Sequence, residues 1–487
     1  MPIAPMRGFT PDQPPQTPGI LTDCTQWIPF DTGFESAPQP SAQGSAALAA
    51  ECQGAFLGEK LDASVRVFAG TASELYELSG TTWSSVKHGA GVYSIGTDRW
   101  SFAQFGDATL VATPTVLLQQ SSSGAFADIA GSPKATTIAT MMIGGGGGFV
   151  VAGNTDAGKD VWICSALNDA TSSTAWTPSS ATQCTTGRIL SDDGQIRCMR
   201  EFGASQIVAY KQRSMYVGDY VGTPEVIRFR KIPKVGALGP EAVANLGYAH
   251  VFAAYNDIYL FDGNVPRSIA GGQVREWYTS NLSATFAHRT QVVWDVDRNI
   301  VWIYFPDSSS SGKPNRTLVW SPTLREWGRA DQIIEAALFY SSPAISWAAA
   351  SGTWASYAGT WSDSPASTRS LATIDSTHTM QLINGPSTTS DFTLHDIGDD
   401  EYVSRLTELR LRYSTRPTSA LLALSRSFDT GTGFTAGPTV SALDIPSSAL
   451  SRFPTRQTAK WHRSRVQVTG ATSVTGYEPF LVPVGRR

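Results

Sequence analysis

The chain has 487 residues, of which 41% are hydrophobic, 10% aromatic and 16% charged, and its formal net charge is −4. This length and apolar content are sufficient for a large buried core, and 44 glycines and 28 prolines supply many turns. The acidic balance argues against a protein that grips nucleic acid by its phosphates, although nucleic acid could still slide past it.

The first 59 residues are predicted to form an extended arm that contributes to a platform. The proline-rich run PDQPPQTPG at 11–19 favours irregular or polyproline backbone, and Trp27, Ile28 and Phe30 are the main apolar anchors. A segment with so few apolar residues does not fold by itself. We therefore expect the arm to become ordered only against another molecule, most simply a neighbouring copy of the chain.

Residues 60–375 contain a repeated unit whose clearest copy lies at 292–328. β-Branched and aromatic runs at 292–294, 300–305 and 317–320 alternate with the turn DVDRN and the loop PDSSSSGKPN, and a fourth strand begins near Trp327. Four short strands closed by an aromatic residue are typical of one blade of a β-propeller.

Five similar units precede this one. Their closing apolar residues follow each other at intervals of 40 to 58 residues, close to the roughly 40 to 50 residues of a four-stranded blade. The closing residues are Trp83, Phe126, Trp176, Phe229, Ile269 and Trp327. Two further Gly-Thr-Trp sequences, ending at Trp354 and Trp361, could close a seventh blade. The sequence therefore predicts an all-β protein whose propeller has about six, or seven, four-stranded blades.

Residues 376–487 are predicted to form a C-terminal β platform domain together with the arm. In RLTELRLRY, leucines alternate with charged residues, so one face of this strand packs and the other meets solvent. The strand WHRSRVQV repeats the pattern. Its arginines and those of the first strand lie either on a solvated sheet face or at a contact with a neighbouring subunit. The resulting candidate subunit-interface residues are Arg405, Arg410, Arg412, Arg463 and Arg465.

Two short motifs suggest binding chemistry but are better explained as turns. Five glycines at 144–148 precede the strand-like FVVAG, whereas a phosphate-cradling loop needs a helix N-terminus after it. Asp295, Asp297 and Asn299 have the spacing of the first calcium ligands of an EF-hand, but Ile300 follows instead of glycine and no acidic residue stands at the twelfth position. We interpret this second motif as a hairpin turn.

Histidine and cysteine patterns give no catalytic, metal-binding or cofactor-binding residue. The histidines are isolated, without ligand spacing or a GxSxG nucleophile motif, and are His88, His250, His288, His378, His395 and His462. The cysteines are odd in number and never spaced as CxxC, and are Cys24, Cys52, Cys164, Cys184 and Cys198. We expect free thiols and a reducing compartment. No apolar stretch is long enough to span a bilayer, and no signal peptide is recognisable, so we expect a chain that is made and used without membrane passage.

The Gly-Thr-Trp closures also lack the repeated turn motif of sialidase-like propellers, S-x-D-x-G-x-T-W. Leu78 occupies the aspartate position before Trp83, and Ala349 and Ser356 occupy it before the two later closures. The best sequence argument for a glycosidase is therefore missing. We predict that the protein is not an enzyme and has no cofactor.

Several phrases of the chain resemble the tail nozzle or hub proteins of short-tailed bacteriophages. They are GFTPDQPPQTPGILTDCTQWIPFDTGF, DRWSFAQFGDATLVAT, SPKATTIATMMIGGGGGFVVAG, DIYLFDGN, LVWSPTLREWGRAD, the repeated GTW of SGTWASYAGTW and the arginine-rich final strands ending in GRR. The similarity covers nearly the whole chain, but it consists of phrases and not of a catalytic signature.

This resemblance implies a β-propeller with a platform, of which six copies form a ring below the portal and adaptor proteins. Such a ring continues the channel through which phage DNA leaves, holds tail fibres or spikes, and lets the DNA pass without specific binding. It is assembled in the host cytoplasm and belongs to the tail of the virion. The alternative is a carbohydrate-binding or carbohydrate-cleaving propeller that acts on the host surface, which only the count of 14 tryptophans favours.

Overall fold

The computed structural model describes residues 3–486, apart from 32, 90–92, 145, 191–192, 233–234, 342–368, 430 and 444–449. Strands make up most of this described part of the chain, which contains one α-helix, Arg275–Asn281, and one 3-10 helix, Ala287–Arg289. Among the described residues, no helix has the length and apolar character needed to cross a membrane.

The N-terminal segment contains five short strands, and each of them pairs with a strand from a much later part of the chain. The strands are β1 (Ala4–Pro5), β2 (Leu21–Thr25), β3 (Trp27–Phe30), β4 (Gly33–Ser36) and β5 (Gln39–Ala42).

The next twenty-four strands form six antiparallel four-stranded blades in chain order. Blades 1 to 3 consist of β6 (Ala55–Glu59), β7 (Val65–Gly70), β8 (Leu75–Ser79), β9 (Thr82–Ser85), β10 (Ser101–Phe105), β11 (Ala108–Ala112), β12 (Gln119–Ser121), β13 (Ala127–Asp128), β14 (Ala135–Ile143), β15 (Gly147–Thr155), β16 (Gly158–Cys164) and β17 (Thr186–Arg188). Blades 4 to 6 consist of β18 (Ile196–Phe202), β19 (Gln206–Lys211), β20 (Met215–Gly222), β21 (Val226–Ile232), β22 (Val243–Asn245), β23 (His250–Ala253), β24 (Ile258–Phe261), β25 (Arg267–Ser268), β26 (Gln291–Asp295), β27 (Ile300–Phe305), β28 (Arg316–Trp320) and β29 (Trp327–Arg329).

A seventh blade is built from two distant parts of the chain. Its first three strands are β30 (Ile334–Ser341), β31 (Arg369–Asp375) and β32 (Met380–Gly385), and its outermost strand is β5. Ser41 pairs with Leu382, and Pro40 with Ile383. Proline is tolerated here because the outer strand of a blade has one unpaired edge, where a missing N–H donor costs nothing.

The seven blades close into a ring around one axis. The first strands of successive blades contact each other, and the first strand of blade 7, β30, contacts the first strand of blade 1, β6. The fold is therefore a β-propeller with seven blades, in which the N-terminal strand β5 completes the last blade.

The six predicted units coincide with blades 1 to 6, with one correction. The outer strand of blade 3 is Thr186–Arg188, and Trp176 lies in the long loop before it. The buried indole of Trp176 donates a hydrogen bond to the carbonyl of Ala170 at 3.0 Å, and its ring packs in the core shared by blades 2 and 3. The predicted closures at Trp354 and Trp361 lie outside the described residues.

The platform consists of two sheets. The first, called here the long sheet, starts as blade 6 and continues from β29 through β3, β4, β40, β35 and β38, with β1 beside β40. The second, called here the short sheet, has the order β2, β33, β39, β36, β37, with β34 beside β39. The remaining strands are β33 (Thr389–Leu394), β34 (Ile397–Gly398), β35 (Tyr402–Thr415), β36 (Ser419–Ser427), β37 (Thr435–Ser441), β38 (Arg452–Ala459), β39 (Trp461–Thr469) and β40 (Ser473–Arg486).

The two platform sheets share one apolar core with blade 6. Buried side chains of β35 and β40 pack in the same cluster as those of β36 and β39 and those of β27. The leucines of β35 are buried as predicted, although a register shift lies between Leu406 and Glu408. Because of this extra residue, Leu409 and Leu411 keep facing the core after the irregularity.

Two glycines make the junctions of the long sheet possible. A Cβ at Gly328 would lie 2.4 Å from the carbonyl oxygen of Trp27, where β29 meets β3. A Cβ at Gly33 would lie 2.3 Å from the carbonyl oxygen of Val474, where β4 meets β40. Both distances are too short for any side chain, so these glycines allow the N-terminal strands to bridge the propeller and the platform.

The expectation that the N-terminal arm needs another molecule to become ordered is wrong. Its strands lie in both platform sheets and in blade 7, and Phe9, Trp27 and Phe34 are fully buried. The sequence shows few apolar residues in the arm, but the structure places those few in the core of the same chain. Propeller strands extend from Ala55 to Gly385 and include Gln39–Ala42, whereas the sequence prediction placed the propeller at 60–375.

Candidate functional surfaces

The axis of the propeller encloses a channel with a volume of about 400 Å³. The first strand of every blade contributes to its lining, so the channel is the place where all seven blades meet. This volume is in the range of small-molecule sites and is far too small for a nucleic-acid duplex. Any path for DNA must therefore lie outside the single propeller.

A buried ion pair closes one end of this channel. Arg99 precedes the first strand of blade 2, and Glu241 precedes the first strand of blade 5, so both lie at the same end of the axis. The Nε of Arg99 donates to Glu241 at 2.7 Å, and a second guanidinium nitrogen donates to the backbone carbonyl of Glu335 in blade 7 at 3.0 Å. Because only 4% of Arg99 is exposed, this arginine acts as a brace between three blades.

The carboxylate of Glu335 continues the network at the same end. It accepts hydrogen bonds from the backbone N–H of Cys52 at 2.8 Å and from the ammonium of Lys313 at 2.6 Å. The Nδ1 of His378 lies 2.9 Å from the same carboxylate. The carboxylate of Glu335 therefore joins blade 7 to the segment before blade 1, at the point where the ring of blades closes.

The five arginines predicted from the sequence are not brought together. Arg405, Arg410 and Arg412 lie on β35 of the long sheet, whereas Arg463 and Arg465 lie on β39 of the short sheet. The inward residues of both strands share one core. The arginines of β35 and those of β39 therefore point outward on opposite sides of the platform.

On β39 of the short sheet the charges of the two arginines are balanced one by one. Both nitrogens of Arg463 that face Asp396 donate to its carboxylate, at 2.8 and 2.9 Å, and Arg465 donates to Asp391 at 3.0 Å. The guanidinium of Arg463 also lies 4.0 Å from the centre of the Phe434 ring. The role of Arg463 and Arg465 at a subunit interface stays a prediction.

On the long sheet the arginine charges exceed the carboxylates. Glu408 accepts from Arg410 and from Arg452, each at 2.6 Å, and these two arginines hold the pKa of Glu408 at about 2. Arg412 pairs with Glu478 at 3.0 Å, and Arg405 donates only to the hydroxyl of Thr458. We call the outward side of β35 and β38 the basic face, and its arginines are Arg405, Arg410, Arg412, Arg452 and Arg456.

Sequence reasoning missed two arginines of the basic face, Arg452 and Arg456. The signal for them is present in RFPTRQTA, where Phe453, Thr455 and Gln457 are buried and alternate with arginine, proline and threonine. The interruption by Pro454 obscured this strand, although proline is accepted at the edge of a sheet, which is where β38 lies.

The two motifs interpreted as turns are turns. The segment after Asp295 connects β26 to β27, with Asn299 at a φ of 50° and the side chain of Asp295 accepting from the backbone N–H of Arg298 at 3.2 Å. The glycine run lies at the hairpin between β14 and β15, where Gly147 pairs with Ile143. Within the described part of the chain, no three metal-ligating side chains come together in a way that could hold an ion.

The cysteines and most tryptophans serve the core. All five cysteines are free and buried, as predicted. Eight of the eleven described tryptophans are buried, and they are Trp27, Trp100, Trp162, Trp176, Trp302, Trp320, Trp327 and Trp461. An aromatic platform for a sugar ring must be accessible, so these residues are unsuited to carbohydrate binding.

The buried histidine His250 predicts a specific acid sensitivity of the fold. Its ring nitrogens lie 2.8 Å from the hydroxyl of Tyr210 and 2.8 Å from the carbonyl of Glu201, and burial lowers the pKa of His250 from 6.5 to about 4. Because the unfolded chain takes up the proton at higher pH than the folded one, the stability from this group is present above pH 6.5 and is lost as the pH falls towards 4.

We expect His250→Gln to fold and to show a shallower loss of stability on acidification, by up to about 1.4 kcal/mol per pH unit. Urea unfolding of both proteins between pH 4 and 7.5 measures this difference. His395 and His462 have similarly lowered pKa values of about 4, so part of the pH dependence remains in the variant. Identical slopes in the two proteins would contradict the assignment.

Comparisons with known proteins add nothing beyond the fold. No protein-family model and no curated protein matches the sequence. Among solved structures, the chain is similar to BBS1N in complex with ARL6DN, with 9% identity, a TM-score of 0.40 and coverage of 74% of this chain and 97% of that one. It is also similar to YCF48 bound to a D1 peptide, with 11% identity, a TM-score of 0.36 and coverage of 65% of this chain and 92% of that one.

A third similar structure is PorZ, a surface component of the type-IX secretion system of Porphyromonas gingivalis. The identity is 9%, the TM-score is 0.34, and the match covers 60% of this chain. The match spans 35% of PorZ, about a third of its length. Similarities at this level describe the fold and carry no statement about function.

Proposed function

We propose that the protein is a non-enzymatic structural component of a short phage tail. In this proposal six copies form a ring that continues the DNA path below the portal and adaptor proteins and holds fibres or spikes. The ring is assembled in the host cytoplasm and remains in the tail of the virion. The sequence phrases shared with tail nozzle or hub proteins suggest this role, and the architecture of the chain supports it.

The observation that carries the proposal is the continuity of the long sheet. This sheet runs through nine strands from β26 at the propeller axis to β38 at the far edge of the platform, and a tenth strand, β1, lies beside β40. Blade 6 and both platform sheets also share one apolar core, so the platform does not swing as a separate domain on a flexible linker. A wall element that must keep its shape while DNA moves past requires such a rigid connection between propeller and platform.

The axial channel has no part in conducting DNA in this proposal. Its volume and the ion pair between Arg99 and Glu241 leave no passage for a nucleic-acid duplex. The path for DNA is instead the centre of the ring of copies, which a single chain does not form. Each propeller is then a rigid block in the wall.

A reconstitution experiment tests the proposed function. We expect the purified chain to sediment as a monomer, and to form a six-fold ring in electron micrographs once it is mixed with the portal and adaptor proteins encoded beside it. Mixtures that lack the adaptor are the control and should leave the chain monomeric. A chain that stays monomeric with the complete connector, or that is absent from purified particles, would sink the proposal. Glycan-array binding without ring formation would favour the carbohydrate-binding alternative.

A further inference from the structure

Charge is unevenly distributed along the chain. Residues 401–487 contain 12 Lys and Arg against 5 Asp and Glu, a net charge of +7, whereas residues 1–400 contain 25 against 36, a net charge of −11. The overall charge of −4 therefore conceals a C-terminal segment with an excess of basic residues. The attraction between the protein and a charged partner depends on the local charge, because electrostatic attraction is screened beyond about 10 Å at ordinary salt concentrations.

The excess positive charge is concentrated on the basic face. Neighbouring strands place Arg410 beside Arg452 and, on the other side, beside Glu478. The face carries five arginines and only two carboxylates, Glu408 and Glu478. Its arginines are accessible: Arg405 and Arg456 are exposed, and Arg412 is 47% exposed.

Two of these arginines have no counter-charge in the described part of the chain. Arg405 donates only to the hydroxyl of Thr458, and Arg456 has no hydrogen-bond or ion-pair partner among the described residues. By contrast, Arg463 and Arg465 on β39 of the short sheet each have their own aspartate. The two sides of the platform thus differ in free charge, although both carry arginine at alternating positions.

The composition of the basic face fits a nucleic-acid backbone better than another protein. Protein–protein interfaces are depleted of charge at their centre, whereas protein–DNA interfaces are more polar and much more positively charged. On this face all five arginines lie on β35 and on the edge strand β38, and the large apolar side chains Phe480 and Val482 come from β40. Eleven of the twelve basic residues in 401–487 are arginine, whose planar guanidinium group binds phosphate through two parallel hydrogen bonds.

We propose that the basic face binds the phosphate backbone of nucleic acid without selecting a sequence. A flat sheet surface offers no helix or ribbon to insert into a groove, so base edges are not read. The rest of the chain, residues 1–400, has a net charge of −11, which keeps this contact weak. This inference does not depend on the proposed function, since the face would bind phosphates whatever assembly the chain belongs to.

Fluorescence anisotropy with a labelled 30-base-pair duplex of random sequence tests the proposal on the full chain. We expect binding that weakens steeply between 50 and 200 mM salt. The double substitution Arg405→Ser and Arg456→Ser removes two phosphate contacts, so the slope of log K against log salt should become shallower by about 1.8, with affinity at 50 mM salt lower by roughly tenfold or more.

A matched control separates this face from the charge of the whole platform. Arg416→Ser and Arg426→Ser change the net charge by the same amount at two exposed positions, one in the turn after β35 and one on the short sheet. The control should bind DNA like the original protein, and circular dichroism should show that both variants keep the fold.

Three results would overturn the proposal. The first is a lack of DNA binding by the original protein at 50 mM salt. The second is equal weakening in both double variants, because binding would then follow net charge and not this face. The third is salt-sensitive self-association of the chain that is lost only in the Arg405→Ser, Arg456→Ser variant, with DNA binding unchanged, which would make the face a contact between copies.

Discussion

Removal of residues 1–42 is expected to prevent the chain from folding. The deletion takes away the outer strand of blade 7, the two strands that connect blade 6 to the platform, and one strand of the short sheet. It also removes the fully buried Phe9, Trp27 and Phe34. Burial of each such side chain contributes about 1.5–3 kcal/mol, and the net stability of a domain is only about 5–15 kcal/mol. Soluble yield and thermal melting followed by circular dichroism measure the effect.

A pair of point substitutions within one strand provides the control for this deletion. Trp27 is fully buried and Phe30 is 43% exposed, yet both belong to β3. We expect Trp27→Ala to lower the free energy of unfolding by about 3–5 kcal/mol and Phe30→Ala to lower it by less than about 1 kcal/mol. A truncated protein that melts at the original temperature would show that the arm is not part of the fold.

Substitution Glu335→Ala is expected to be the most damaging change of a single charge. It leaves the ammonium of Lys313 and the backbone N–H of Cys52 without their acceptor at the closure of the ring. Removing one partner of a fully buried pair typically lowers the free energy of unfolding by about 3–5 kcal/mol, and because Lys313 is 25% exposed we expect the lower end of this range. Guanidinium unfolding monitored by tryptophan fluorescence measures this loss.

Two further variants show whether the loss comes from the buried charge. Glu225→Ala removes a carboxylate of the same type from an exposed ion pair with Arg228 and should leave the unfolding midpoint unchanged. Adding Lys313→Met to Glu335→Ala should restore part of the stability, since the stranded charge is then gone. A Glu335→Ala protein as stable as Glu225→Ala would refute the bracing role of this group.

Blades made of consecutive strands could be predicted from the sequence because their pairing is local. In blade 6 the runs at 300–305 and 317–320 are joined by a polar loop, and each pairs with the next strand along the chain. The seventh blade could not be recognised in this way. Its outer strand pairs Pro40 with Ile383, and no local pattern indicates a partner more than 300 residues away.

The same limit explains the error about the N-terminal arm. A proline-rich segment with a few aromatic residues has the composition of a region that orders on a partner molecule, and the prediction followed that composition. The sequence could not indicate that the partner is the platform and the propeller of the same chain. Only the structure shows, for example, that the rings of Trp27 and Phe392 lie 4.8 Å apart.

Alternation along β35 and β39 identified arginines that point outward, but periodicity carries no information about their partners. Arg463 and Arg465 are neutralised by aspartates at positions 396 and 391, whereas Arg405 is not neutralised. The brace at the channel was missed for a related reason. Arg99 and Glu241 are 142 residues apart, and each looks like an ordinary loop residue until the ring brings the blade connections together.

The use of β5 as the outer strand of blade 7 also determines when the propeller can be completed. Met380 follows Ala42 by 338 positions in the chain. At about 5–20 residues per second, a ribosome needs roughly 17–70 s to make this stretch. During that time blades 1 to 6 can form one after another, but the strand that will complete blade 7 has to wait without a partner. Blade 7 is therefore completed only after Gly385 has been made, and chain termination before Met380 leaves β5 without its partner strand.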